Sequence, residues 1–246
     1  MPRHRHPLAV HVREGLGVVP EAELLKHGIA RVVIAVFQKP VGEMGAAMPA
    51  EVGIVQIQGR FRNADGTYAN DEMTANACAV YFGIDDSPAL IDHLAAQLRA
   101  NSHKADFGII GAKTIPRVLA ANGYAADAFK CFIQPEFPGW GNWIARGATS
   151  LWENWDGTGS QTHVMYGDFP AWCFNFLAGI RIMEPGFKSV MIAPADVPEA
   201  GNYTFSFRTP YGEITTERTG STFRCHVPEA IKCTLAIPET MSAEKI

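Results

Sequence analysis

Residues 138–168 read P-G-W-G-N-W-I-A-R-G-A-T-S-L-W-E-N-W-D-G-T-G-S-Q-T-H-V-M-Y-G-D. Four tryptophans, Trp140, Trp143, Trp152 and Trp155, fall within sixteen residues. Glu153 stands between two of them, and His163 follows. Glycines at 139, 141, 147, 157 and 159 break any long periodic element, so loops are expected here. Aromatic faces offer flat apolar platforms. A carboxylate held among them is desolvated, which disfavours its charged form and suits it to acid or base work. Aromatics, a carboxylate and small residues that admit a ligand fit a sugar site. The same pattern also fits a core helix turn with large aromatics and one surface Glu. On chemistry alone the two readings are evenly matched.

Outward from this stretch, the upstream chain reads as helices joined by short loops. N-A-D-G-T-Y is a turn, with Asp65-Gly66 supplying its tight geometry. A helix is expected over 71–84, capped by Asn70 or Asp71 and stopped near Gly83. Ser87 should cap a second helix, with Pro88 at its first position, running to about Ala100. Leu90, Ile91, Leu94 and Leu98 share one face of it. A third is expected over 107–122, ending at Gly123, with Pro116 as a kink or as its true first turn. A fourth runs 125–134, halted by Pro135. A fifth runs 170–180, with Trp172, Phe176 and Ile180 on a stripe.

After Gly186 the character changes. S-V-M-I-A-P, Y-T-F-S-F-R-T-P, G-E-I-T-T-E-R-T, S-T-F-R-C-H-V-P and K-C-T-L-A-I-P alternate and are parted by Pro and Gly. Thr219-Gly220 and Pro210-Tyr211-Gly212 read as hairpin turns. Five short strands imply a small antiparallel β domain of sandwich type. Residues 239–246 read as a frayed tail. The expected division is an unassigned segment over 1–57, a helical region over 58–182 and the β domain over 183–246. Within 1–57, E-A-E-L-L-K-H-G reads as a short helix ending at Gly28, R-V-V-I-A-V-F as a strand, and 42–49 as a loop.

Composition narrows the function classes. The 246 residues suffice for one large or two modest domains. A net charge of −4 does not favour nucleic acid or an anionic membrane surface as partner. No apolar run approaches the ~20 residues of a membrane helix. Five scattered cysteines, an odd number with no C-x-x-C pair, read as free thiols and point weakly to a reducing, cytoplasmic compartment. The N-terminus is basic, but His11 and Arg13 interrupt its apolar stretch too early for a cleaved secretion signal. His4, His6 and His11 read as a solvated tail rather than a metal site. G-I-I-G-A-K-T over 108–114 lacks the glycine spacing and adjacent lysine of a phosphate loop, so nucleotide binding is not expected.

The segments G-A-T-S-L-W-E-N-W-D-G, S-Q-T-H-V-M-Y-G-D, W-C-F-N-F-L-A-G-I-R and P-G-F-K-S-V-M-I-A-P resemble the C-terminal part of the bacterial α-L-rhamnosidases, glycoside hydrolase family 78. A-D-F-G-I-I-G-A-K, N-G-Y-A-A-D-A-F-K and D-G-T-Y-A-N-D-E-M-T-A extend the resemblance upstream, to about residues 58–238. It implies a mainly α plus β protein: a partial (α/α)6 toroid of the six-hairpin glycosidase type, then a small antiparallel β-sandwich. It implies inverting hydrolysis of terminal α-L-rhamnosides, with no metal or organic cofactor. Glu153 matches the family's general base and His163 its rhamnose-contacting histidine. Trp152, Trp140 and Trp143 would then wall the sugar, and Asp156 and Asp168 would support the site from behind. The family's general acid lies in an acidic segment well upstream, which Glu14, Glu21, Glu23 and Glu43 do not match. Asp71 and Glu72 form an acidic pair that nothing identifies with it. The chain therefore looks like a C-terminal half-toroid with its β domain, whose uncovered helix faces invite self-association. The alternative is a catalytically inactive carbohydrate-binding or structural remnant.

Overall fold

The computed structural model describes residues 50–245. The short helix ending at Gly28, the strand over 31–37, the loop over 42–49 and the N-terminal histidines lie outside the described residues.

The helical part opens with α1, Ala50–Phe61, an element not expected from the sequence, which runs unbroken across position 57. The Asp65-Gly66 turn forms as read: Asp65 Oδ1 accepts from the Thr67 N–H and hydroxyl at 3.0 and 2.7 Å, and Gly66 takes φ +90°. α2 spans Met73–Tyr81, shorter at both ends than expected, with Glu72 rather than Asn70 or Asp71 at its N-terminal boundary. Asp71 is excluded from the helix by its own backbone, at φ +60°. α3 spans Pro88–Ala100 with Ser87 and Pro88 where expected, although the Ser87 side chain makes no capping bond. Its stripe of Leu90, Ile91, Leu94 and Leu98 is buried.

α4, Ile109–Ala121, carries Pro116 inside it, so the proline neither begins nor ends the helix. Gly123 takes the left-handed conformation beyond its end, at φ +90°. The second glycine of the stretch that mimics a phosphate loop packs instead: a Cβ on Gly111 would lie 2.6 Å from Thr74 Oγ1 of α2. α5 is Ala125–Ile133 and stops ahead of Pro135. α6, Trp140–Ala145, is a short helix not expected from its glycine-rich sequence. α7, Phe169–Trp172, widens into a π turn over Cys173–Leu177. The helix expected to reach Ile180 therefore ends at Leu177, because Gly179 at φ +70° turns the chain directly into a strand.

Seven strands follow: β1 Ile180–Glu184, β2 Ser189–Ile192, β3 Tyr203–Thr209, β4 Gly212–Thr219, β5 Thr222–His226, β6 Lys232–Leu235 and β7 Ser242–Lys245. They form a three-stranded sheet, β1-β2-β6, and a four-stranded sheet, β3-β4-β5-β7. β3-β4 and β4-β5 are two-residue hairpins closing at Thr209↔Gly212 and Thr219↔Thr222, at the expected turns. The sheets are mixed rather than wholly antiparallel, because β2-β6 and β5-β7 run parallel. The tail read as frayed supplies β7, which adds to β5 by backbone pairing.

Two cores result. Leu94, Leu98, Ile115, Leu119, Phe132 and Trp172 centre the helical one. Ile180, Val190 and Ile192 of one sheet share the second with Ile214 and Phe223 of the other. Burial pushes the thiols of Cys131 and Cys173 up to about 12 and about 11, which keeps them protonated and inert. Three contacts clamp the helical part to the sheets: Tyr203 Oη donates to Leu177 O at 3.0 Å, Ala195 N–H to Phe176 O at 2.7 Å, and Lys130 Nζ pairs with Glu199 at 3.0 Å.

Two substitutions test this framework. A Cβ at Gly179 would sit 2.3 Å from Pro194 N, a backbone atom that cannot move aside. Gly179→Ala should therefore cost about 3 kcal/mol of unfolding free energy in urea, from left-handed strain plus overpacking. Asp127 is 7% exposed and is held by Arg99 at 2.6 and 3.0 Å and by His103 Nε2 at 2.9 Å. Burial pushes its carboxyl up, but Arg99 and His103 outweigh burial and leave it below the ordinary value. A lowered folded value means that its stabilisation is complete above the unfolded value of about 3.9 and is lost as pH falls through the folded one. Asp127→Asn should thus cost about 2 kcal/mol near pH 7, and its stability should converge on the parent's at lower pH.

Candidate active site

The Trp-rich segment folds as a loop laid over an aromatic platform. Trp143 is the hub, with ring centroids 4.6 Å from Trp155, 5.9 Å from Trp152 and 5.5 Å from Tyr166. Trp140 meets Trp155 edge-on at 4.9 Å and Phe132 at 5.1 Å. An indole N–H must find an acceptor when buried, and those of Trp140, Trp143 and Trp155 do. Trp140 Nε1 donates to Tyr166 O at 3.1 Å, Trp143 Nε1 to Trp155 O at 3.0 Å, and Trp155 Nε1 to Phe107 O at 2.8 Å. The platform thus joins α6 to the residues on either side of the loop and to the entry of α4.

On it, residues 150–153 run beside residues 160–163. The Glu153 N–H donates to Ser160 O and the His163 N–H to Leu151 O, both at 2.8 Å, and the Ser150 hydroxyl bonds Gln161 O. Between these limbs the chain makes a tight turn. Asp156 Oδ1 accepts from the Thr158 hydroxyl at 2.7 Å and its N–H at 2.9 Å, and these two bonds hold its carboxyl below the ordinary value. Arg146 braces the turn, donating to Asp156 O at 2.8 Å with its guanidinium 5.0 Å from the Trp152 ring centre.

The Glu153 carboxylate is half-buried, and its Oε2 accepts from the Ser160 N–H at 2.8 Å. It is held by main chain at the loop surface rather than enclosed by indoles. Gly159 permits this: at φ +77° it lies so close that a Cβ would meet Oε2 at 2.6 Å. The carboxylate has one anchored oxygen, and Oε1 has no hydrogen-bond partner among the described residues.

The other expected site residues divide. His163 is half-buried on the limb beside Glu153's, so the loop brings both onto one scaffold. Trp140, Trp143 and Trp152 are buried to 9%, 2% and 7% exposure, as parts of the helical core. Asp168 is not aimed at Glu153's loop; Arg117 of α4 grips it at 2.6 and 3.0 Å and so fixes the start of α7. Tyr166, which sequence reading passed over, packs against Trp140, Trp143 and Trp155, and burial pushes its hydroxyl up. Its position between two aromatic-rich stretches was the only signal available. Asp71 belongs to a separate polar cluster: Oδ1 lies 2.8 Å from Asn76 Nδ2 and 2.9 Å from His93 Nε2, and Gln97 Nε2 donates to its carbonyl at 2.7 Å. Among the described residues no group of three or more His, Cys, Asp or Glu is placed to hold a metal ion, and no helix is long and apolar enough to cross a membrane.

Two families match the chain in tandem. The one described as bacterial alpha-L-rhamnosidase 6 hairpin glycosidase domain covers residues 50–177, and the one described as bacterial alpha-L-rhamnosidase C-terminal domain covers 179–245. The two matches meet at Gly179's turn. An alpha-L-rhamnosidase of Streptomyces avermitilis is 26% identical over 227 residues, which is 80% of this chain and 22% of the relative. Among solved structures, Dictyoglumus thermophilum alpha-L-rhamnosidase superposes with a TM-score of 0.70 at 26% identity, covering 77% of this chain and 23% of that one. Streptomyces avermitilis alpha-L-rhamnosidase complexed with L-rhamnose gives 0.70 at 24% identity, covering 85% and 22%. The chain spans about a fifth of the length of these relatives.

The loop's dependence on its platform is measurable. Trp155→Phe removes the N–H that satisfies Phe107 O while keeping an aromatic ring. It should lower stability by about 1–2 kcal/mol in urea and weaken the near-ultraviolet circular dichroism of the cluster.

Proposed function

The chain belongs to the bacterial α-L-rhamnosidases, and from that membership we propose that it serves in glycoside hydrolysis of terminal α-L-rhamnosides with inversion, Glu153 acting as general base. In such a reaction one carboxylate takes a proton from the water that attacks the anomeric carbon. A second carboxylic acid, about 6.5–9.5 Å away, protonates the leaving oxygen. The observation that carries the reading is the half-anchored Glu153 carboxylate: Ser160 N–H fixes Oε2, and Oε1 is left to receive a water proton. His163, on the neighbouring limb, is assigned to a hydroxyl of the rhamnose. Trp140, Trp143 and Trp152 shape the pocket from beneath, as the floor that sets the loop's height, rather than as freely exposed walls. Asp156 holds the turn that carries Glu153, and no residue of this chain is assigned the part of the family's general acid.

A second reading keeps the sugar pocket and drops turnover. What favours it is that no carboxylate on the same loop is free for the acid role: Asp156 is spent on Thr158 and Asp168 on Arg117.

Release of p-nitrophenol from p-nitrophenyl α-L-rhamnoside separates the two. Under the first reading Glu153→Gln lowers kcat by roughly 10²–10⁴. Gly159→Ala, whose Cβ displaces Oε2, should lower kcat by a comparable factor with far less effect on KM. Failure of both parent and variants to turn over, with rhamnose still bound, would establish the second.

A further inference from the structure

Arg146 follows α6 as its C-terminal boundary residue, and its main-chain N–H donates to Asn142 O at 3.0 Å and Trp143 O at 3.1 Å. Its backbone is therefore fixed to the helix that carries Trp143, the hub of the aromatic platform. The side chain is exposed and closes on the loop from outside. Nη1 donates to Asp156 O at 2.8 Å, and the guanidinium lies over the Trp152 ring, 5.0 Å from its centre. Glu153 stands between those two contacts: Trp152 directly precedes it and Asp156 follows three residues on. The space between them is closed. A Cβ on Gly157, at φ +80°, would lie 2.7 Å from Trp152 Cζ3 and 3.1 Å from Arg146 Nη2. Ring, glycine and guanidinium thus meet at one point beside the turn.

We propose that Arg146 is a positioning residue for the hydrolysis: it clamps the chain on both sides of Glu153 and so sets where the carboxylate stands. The inference rests on the reading of Glu153 as general base. A guanidinium suits the task because it is planar and carries several donors, so it can lie on an indole face while one N–H reaches a carbonyl. A lysine ammonium is a point charge on a flexible stem and does not hold both contacts in one geometry. The Ser160 N–H that anchors Oε2 lies on the far limb of the same turn, so slackening the clamp parts the donor from the carboxylate. The leverage is unequal. Both contacts lie at the surface, where such interactions add little to folding. A reacting group displaced by about 1 Å, by contrast, can lose roughly 10²-fold in rate. The loss of Arg146 should therefore be felt in rate far more than in stability.

The test compares Arg146→Ala and Arg146→Lys in the full chain, with p-nitrophenyl α-L-rhamnoside as substrate. Both should lower kcat roughly 10²-fold while KM stays within about twofold of the parent's. Both should keep the parent's urea midpoint, which a merely structural role would move. Parental kcat in Arg146→Lys would show that charge alone suffices and would overturn the clamp. A fall in kcat matched by a fall in the urea midpoint would overturn it as well. A second readout needs no turnover. In ¹⁵N–¹H spectra Glu153→Gln should move the Ser160 amide, because Oε2 accepts from it at 2.8 Å. In an Arg146→Ala background the same substitution should leave that amide nearly unmoved. If the parent releases no p-nitrophenol, the failure is that of the catalytic reading, and the Ser160 response decides on Arg146 by itself: an equal response in the two backgrounds removes the clamp.

Discussion

Four indole N–H groups hold the helical part together. An indole is a large apolar plate with one donor and no acceptor, so it can be buried only where a carbonyl is free to meet it. Trp140, Trp143, Trp155 and Trp172 each find a backbone oxygen, on Tyr166, Trp155, Phe107 and Pro116 respectively. Each bond fastens a different segment. Between Arg146 and Asp168 the chain has almost no regular structure, and a loop of that kind cannot order itself by propensity. It is ordered because its own tryptophans are pinned into the platform beneath it. The placement of Glu153 is a consequence: the carboxylate's register follows from where Trp152 and Trp155 are fixed on either side of it.

Where punctuation residues set an element, the sequence was readable. Pro88 began α3, Gly123 closed α4, and the Gly220 and Pro210-Tyr211 turns set the two hairpins. Elements whose cause is tertiary were not. α6 contains Gly141 and has poor helix propensity; it exists because Trp140 and Trp143 both point into one core. β1 hid behind the helical stripe of Trp172, Phe176 and Ile180, which Gly179 cuts short. β7 is a polar tetrapeptide that becomes a strand only because β5 offers an open edge, and the parallel pairing of β2 with β6 depends on residues 43 apart. At the candidate site, aromatic clustering singled out Glu153 and His163. It misjudged how the carboxylate is held, because clustering along the chain does not tell which ring faces the core. The Gly159 contact and the Ser160 N–H are backbone geometry, which the sequence shows only as a small residue beside a polar one.

The interior handles its charges in two ways. Asp127 is encircled by donors from α3 and the turn after it, so its burial is offset by three close contacts. Arg117 and Asp168 form a similar closed pair between α4 and α7. Arg218 differs: it enters the core from a strand and pairs with Asp196 at 2.9 Å, while its Nη1 and Asp196 Oδ1 are buried without a hydrogen-bond partner among the described residues. Closed pairs of the first kind fix relative positions of helices. The open pair lies within the β region, between β4 and the segment that follows β2.

Gly179 gives the seam between the helical part and the β region a further property. Helix and strand are joined there with no intervening linker, Ala193 N–H donates to Gly179 O at 2.8 Å, and Pro194 lies against its Cα. Such a joint has no slack. The β region cannot be treated as an interchangeable module, because a graft that altered the junction by one residue would reverse which face of β1 meets the core. Gains and losses of such a region in evolution would then have to carry the last turn of the preceding helix with them, so the unit of inheritance is larger than the β fold itself.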